Sequence, residues 1–273
     1  MGIRTQAGKI TREFYDSREP QGRPVGWRRQ PRFLSIDHSY LVIPSAVVGK
    51  KTLDEISLFA KIPNLEQDEA NALIKSARSY QKALLVSEDD PSLSWLFFVT
   101  AVEKAASFWM ETRSNAVTIM EEWEPGFLDE LKKICVDAVE LVSHKFAGIY
   151  KSANKFVQFI KAHKPDPPPI RPPEWAKINW DKGEFEEALK VIYKHRSNAL
   201  HEGTPFPIRI CECPPRVKNE NGEVCWHEKP IGMGASALGG TWLEKDLPMY
   251  LNTFEYIVRN CLLKWWRGLA IRH

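Results

Sequence analysis

Six of the nine residues from Pro165 to Pro173 are proline, and no regular helix passes through such a run. Each proline lacks an amide donor and its ring clashes with the preceding turn. Lys164 to Pro173 therefore reads as an extended polyproline spacer with helical chain before and after it. Before it, Leu53, Ile56, Leu58 and Phe59 mark a short helix stopped by Pro63. Asn64 is placed to cap a long helix reaching about Val86, whose first turn is acidic (Glu66, Asp68, Glu69) as the helix dipole favours. Asp90-Pro91 opens the next helix with a cap and an N1 proline. Its positions Trp95, Val99, Val102, Ala106 and Trp109 repeat at helical spacing. Pro125 to about His163 is a further helical stretch in which Gly148 is the expected break.

Beyond the spacer, Asp181 and Glu184 form a capping-box pattern for a helix that ends at Gly203, with Pro205 and Pro207 behind it. Residues 204–241 are rich in proline and glycine and suggest a hairpin around Asn219 to Gly222. A last helix is expected from about Leu247 to Arg267, with Leu251, Phe254, Val258, Leu262 and Trp265 on one face. Near the amino terminus, Phe33 to Ile43 has the β-branched and aromatic content of one or two short strands. No internal repeat is present. The expected fold is mainly α: a helical bundle with a short N-terminal extension and a hairpin-like insertion before the last helix.

Composition sets the function classes. With 43% hydrophobic residues and ten tryptophans in 273 positions, the chain folds around an ordinary core and needs no disulfide or metal to do so. The longest apolar run, Leu93 to Val102, is far shorter than the roughly 18 residues of a membrane span. The amino-terminal charges have no apolar core behind them, and Gln6 stands where a myristoylation signal wants Ser or Thr. Five cysteines are an odd number and read as reduced thiols, so a cytoplasmic protein without a membrane partner is expected. Net charge is +3, but residues 1–32 hold eight Lys/Arg against three acids, leaving about −2 for the rest. Residues 1–50 thus form a basic, partly ordered extension, either a solvated tail or an arm for nucleic acid.

One helix breaks its own pattern. From Glu184 to Glu202 the apolar stripe reads Phe185, Leu189, Ile192, then Arg196, then Ala199. A guanidinium in line with a core stripe is costly unless it is paired or faces a cleft. His201 follows in the last turn, where the carbonyl end of a helix favours an imidazolium. Arg196 and His201 lie about 140° apart around an ideal helix, yet the long arginine stem can bring its head beside the imidazole. Asn198 lies three residues before His201, on its side. Such a set either is a buried ion pair with a terminal histidine, or holds a phosphate and moves a proton.

The string Tyr193-Lys-His-Arg196-Ser-Asn-Ala-Leu-His201-Glu-Gly-Thr-Pro-Phe-Pro207 resembles the HEPN superfamily, in its Apea-like branch. Those domains carry an arginine, four to six residues and a histidine at a helix end. Asp90 to Glu103 resembles the branch's first core helix and Trp242 to Asn260 its last, so the resemblance covers roughly 65–270, with the core about 90–270. Residues 1–50 lie outside it.

The resemblance implies a HEPN-like domain over 51–273 and a metal-independent endoribonuclease of a defence or toxin type, without cofactor. It would act on RNA as a homodimer through the motif helix, with an antitoxin or defence partner unidentified. It puts His201 in proton transfer, Arg196 on the scissile phosphate, and Asn198 in orienting the phosphate or His201. HEPN domains often carry an acidic residue on an early helix near the motif arginine. Glu103 takes that supporting place, either pairing with Arg196 or facing solvent. The other reading is a non-catalytic HEPN module that binds RNA, a nucleotide or a partner protein.

Three further patterns weigh less. Cys211, Cys213, Cys225 and His227 flank the hairpin turn and could converge on zinc, although Pro214-Pro215 disturbs the pairing and reduced hairpin cysteines are the plainer expectation. Gly232, Gly234, Gly239 and Gly240 lack the strand-to-helix context of a phosphate loop. Lys264-Trp-Trp-Arg267 suits an amphipathic helix with aromatic core residues better than a base-stacking platform.

Overall fold

The computed structural model describes residues 14–15, 24–25, 41–47, 54–110, 116–123, 125–232, 234–237 and 240–271. The chain divides into two units, 1–37 and 38–273. In the first, β1 (Phe14–Tyr15) pairs antiparallel with β2 (Pro24–Val25). The strands expected over Phe33 to Ile43 fall largely outside the described residues, and Leu41 to Ile43 are not strand.

The second unit is mainly helical. It begins with the short helix α1 (Pro44–Val47) and a 3₁₀ helix at Asp54–Asn64 that includes Pro63. The antiparallel pair α2 (Gln67–Val86) and α3 (Pro91–Trp109) follows. The cap of α2 is Glu66, not Asn64, and the Glu69 carboxylate accepts from the Glu66 amide. Asp90 caps α3 as expected, accepting from the Leu93 amide at 2.9 Å with Pro91 at N1. Helix α3 is apolar over most of its circumference, as a central helix must be, with one polar strip. Trp95, Phe98, Val99, Ala101, Val102, Ala105 and Ala106 are all fully buried. Small residues let α2 approach closely, and hydroxyls stitch the seam: Ser76 donates to Ala101 O and Ser94 to Ala83 O.

Next come α4 (Ala116–Trp123), α5 (Pro125–Ile134) and α6 (Val136–Ala162). The break in this stretch falls at Cys135, and α6 runs through Gly148 without interruption. Near its start α6 shares a small apolar cluster with α4 and α5, made of Met120, Leu128 and Val139. Its last turns enter the main core through Phe156, Phe159 and Ile160.

After the spacer, α7 (Lys182–His201) begins at Asp181. The expected capping box is not formed. The Asp181 side chain makes no cap bond, and its amide instead donates to Asn179 Oδ1 at 2.9 Å. Gly203 at φ +69° turns the chain away beyond the helix, a conformation that costs glycine nothing. Strands β3 (Arg216–Lys218) and β4 (Val224–Trp226) form the hairpin expected around Asn219. A second hairpin pairs β5 (Ala235–Ala237) with β6 (Gly240–Trp242). The last helix, α8 (Leu251–Ile271), starts one turn later than the spacing predicts, since Leu247 to Tyr250 are non-helical but buried or half-buried.

Two knots fix the position of α7. Trp95 stacks between Phe206 and Phe254, with ring centroids 5.4 and 4.7 Å away, which pins the chain just past α7 to α3 and α8. At the other end, buried Glu228 receives Arg171 in two parallel bonds of 2.8 and 2.7 Å and the Ile178 amide at 2.8 Å. The Glu228 carbonyl also accepts from the Tyr250 amide and the Thr253 hydroxyl. One residue thereby joins the spacer, the segment after the β3–β4 hairpin and the approach to α8.

Candidate functional site

Arg196 projects from α7 toward α3 and meets Glu103 there. Its Nη2 lies 3.0 Å from both carboxylate oxygens. The Tyr193 hydroxyl donates to Glu103 Oε1 at 2.7 Å, and the guanidinium stands 5.3 Å from the Tyr193 ring centroid. The side chains of Arg196 and Glu103 are 21% and 17% exposed, so the charge in the apolar stripe is paired and also open to solvent on one side. Burial, and then the Glu103 charge, push the Tyr193 phenol well above its ordinary range. It therefore stays a donor to the carboxylate at neutral pH. Arg196 Nε is buried without a hydrogen-bond partner, and Nη1 makes no hydrogen bond among the described residues.

This pair lines a cleft of about 720 Å³ between α2, α3, α6 and α7. Helix periodicity explains how the cleft is furnished. Asp68, Asn71, Ala72 and Lys75 form one face of α2, and Thr100, Glu103, Lys104 and Ser107 form one face of α3, both at i, i+3, i+4, i+7 spacing. Helix α6 adds Ser152 and Lys155. The lining holds four cations (Lys75, Lys104, Lys155, Arg196) against two carboxylates (Asp68, Glu103). Lys104 is steadied by donating to Ser79 Oγ at 2.8 Å. Lys75 and Lys155 have no ion pair among the described residues.

Asn198 is half-buried on the same helix, and its carbonyl accepts from the Glu202 amide. His201 ends α7 and is exposed. It is not among the residues lining the cleft, so a single chain brings Arg196, Glu103 and Tyr193 together and leaves His201 apart. Beside it Leu200 is 53% exposed, a large apolar side chain at the helix end. The neighbouring His195 is the opposite case. It is buried, and Nε2 donates to the Asp246 carbonyl at 2.7 Å. Burial holds its pKa below the usual histidine value, although the Asp246 carbonyl works the other way.

The cysteine set does not converge. Cys225 points its thiol at Val217 O, and Cys211 is packed near Trp95, where burial raises its pKa to about 12. No metal-ligating cluster exists among the described residues. The stripe of α7 points to Arg196 and the family resemblance to Glu103, and neither reaches Lys75, Lys104 or Lys155. The sequence signal for Lys75 and Lys104 is the helical spacing of polar residues on α2 and α3, which gains meaning once those faces are known to line one cleft, and Lys155 on α6 has no such signal. No helix among the described residues is long and apolar enough to cross a membrane. No family model matches the chain, and no curated protein or solved structure shows significant similarity to it.

Proposed function

We propose that this chain is a HEPN-type endoribonuclease that cleaves RNA through its own 2′-OH without a metal, in a defence or toxin role. The observation that carries the reading is Arg196: a guanidinium set in an apolar helix stripe, held by Glu103 and Tyr193, with Nη1 left over at a cation-rich cleft. Glu103 acts as a positioning residue for it, and Asn198 orients the phosphate or His201. Attack by the 2′-oxygen forms the O–P bond of a 2′,3′-cyclic phosphate and breaks the bond to the 5′-oxygen. One proton must leave the 2′-OH and another must reach the departing 5′-oxygen. A single chain offers one motif histidine, so the reaction needs two copies, with His201 of each serving as base or acid. Exposed His201 and Leu200 on α7 suit a two-fold contact between motif helices. The arginines would stabilise the charge that builds on phosphorus.

The test is cleavage of RNA in EDTA. Products should end in 2′,3′-cyclic phosphate, and 2′-deoxyribose at the scissile position should block cutting. His201→Ala should lower the rate by about 10² or more with RNA affinity little changed. Sedimentation should show a dimer in the active protein. A monomer with full activity, or cleavage that persists in His201→Ala and leaves a 5′-phosphate, overturns the mechanism. A chain that cuts no RNA would instead be a non-catalytic HEPN module that binds RNA, a nucleotide or a partner protein.

A further inference from the structure

We propose that the cleft is a subsite for the backbone of single-stranded RNA, in which Lys75, Lys104 and Lys155 hold phosphates that neighbour the one on Arg196. This deepens the nuclease reading and rests on it for the placement of the scissile phosphate. Nothing in the Arg196–His201 motif requires these lysines, because they come from three other helices. The cleft selects an anion. It carries a net +2 with Asp68 and Glu103 both counted, two of its lysines have no ion pair among the described residues, and Glu103 is already engaged by Arg196 and Tyr193. Its walls also offer uncharged polar groups: Asn71 and Ser107 are exposed there, as is Ser152. Thr100 donates its own proton to Leu96 O, which leaves the hydroxyl oxygen as an acceptor for a ribose 2′-OH.

The shape favours a single strand. An open cleft of about 720 Å³ lined by four helices has room for a short stretch of one strand, whereas a duplex is recognised across successive grooves over a longer span. Half-buried Phe108 lines it, and an aromatic face beside a cationic groove is the usual arrangement for unpaired bases. The occupant would run from Arg196 across α6 and α3 to α2, away from the exposed end of α7.

The experiment uses the full chain carrying His201→Ala, so that RNA is bound and not consumed, with a 12-nucleotide oligouridylate as probe. Adding Lys75→Gln and Lys155→Gln should weaken binding about tenfold. The slope of log affinity against log salt should fall by about 0.7 for each phosphate contact removed. Lys218→Gln with Lys245→Gln removes the same charge from exposed positions elsewhere and should change neither quantity. Equal losses from both pairs, or none from the first, overturn the subsite. A 12-base-pair RNA duplex that loses as much affinity as the single strand overturns the single-strand assignment. Because the readout is binding, a chain that never cuts RNA still answers the question. Lysine-dependent binding without cleavage by the His201 protein would remove the nuclease reading and leave the subsite standing.

Discussion

Two tyrosine–glutamate–arginine clusters occur in the bundle, and they differ in what surrounds them. In one, Glu255 on α8 is fully buried and accepts from Tyr80 of α2, from Arg259 at 2.8 Å one turn along its own helix, and from Ser45 of α1 at 3.3 Å. Every partner is protein, and burial, together with the Glu255 charge, drives the Tyr80 phenol well above its usual range. In the other, Glu103 has the same two kinds of partner but opens on a cleft with three lysines. The shared triad is thus a way to keep a carboxylate inside a helical bundle. What makes the Glu103 cluster a candidate site is the excess positive charge around it.

That contrast can be broken most sharply at Glu255. Glu255→Ala removes a fully buried carboxylate and leaves Tyr80, Ser45 and the part-exposed Arg259 without their shared acceptor, and should cost about 3–5 kcal/mol in urea unfolding. Glu103→Gln should cost less, about 1–3 kcal/mol, because the amide keeps an acceptor for Tyr193 and the Glu103 side chain, unlike Glu255, is partly open to solvent. In the nuclease reading this variant should still reduce cleavage, through a looser guanidinium. Comparable destabilisation by both substitutions, with cleavage untouched by Glu103→Gln, would make the two clusters equivalent and structural. Removing single hydroxyls sharpens the same point. Tyr80→Phe should cost about 1.5–3 kcal/mol and Tyr193→Phe should lie at or below the low end of that range.

The smallest effect is one of pH. His195 has its folded pKa lowered, so between that value and the unfolded value near 6.5 the unfolded chain binds more protons. Its contribution to stability is complete above about pH 6.5 and is lost as pH falls through the folded pKa. His163 and His227, also lowered by burial, act in the same direction. The urea midpoint should therefore drop on acidification from pH 7 to 5, and His195→Gln should flatten part of that slope.

Much of this architecture is legible along the chain where one residue does one local job. Asp90-Pro91 starts a helix because cap and N1 proline act within a single turn. Arg196 betrays its need for a partner because it interrupts a stripe. The capping pair Asp181 and Glu184 misleads, since Asn179, two residues earlier, takes the amide that a cap would organise around. Gly148 misleads likewise. A glycine costs a helix only about 1 kcal/mol, which the packing of α6 at both ends outweighs. The cleft lysines are hidden for a different reason. Each is an ordinary polar residue of its own helix, and only the packing of α3 against both α2 and α6 makes them neighbours.

Arg171 and Glu228 are 57 positions apart, so α7 and its motif sit inside a loop of chain tied shut at the base. Closing such a loop costs entropy that grows only with the logarithm of its length, about 0.6 kcal/mol per doubling. The exposed tip of the β3–β4 hairpin, Glu220 to Glu223, lies within this loop and far along the chain from α7. Additional residues there lengthen the loop without loosening either knot. The hairpin tip is accordingly the place where this chain can accept a tag, a dye or an inserted peptide and still present the motif helix unchanged.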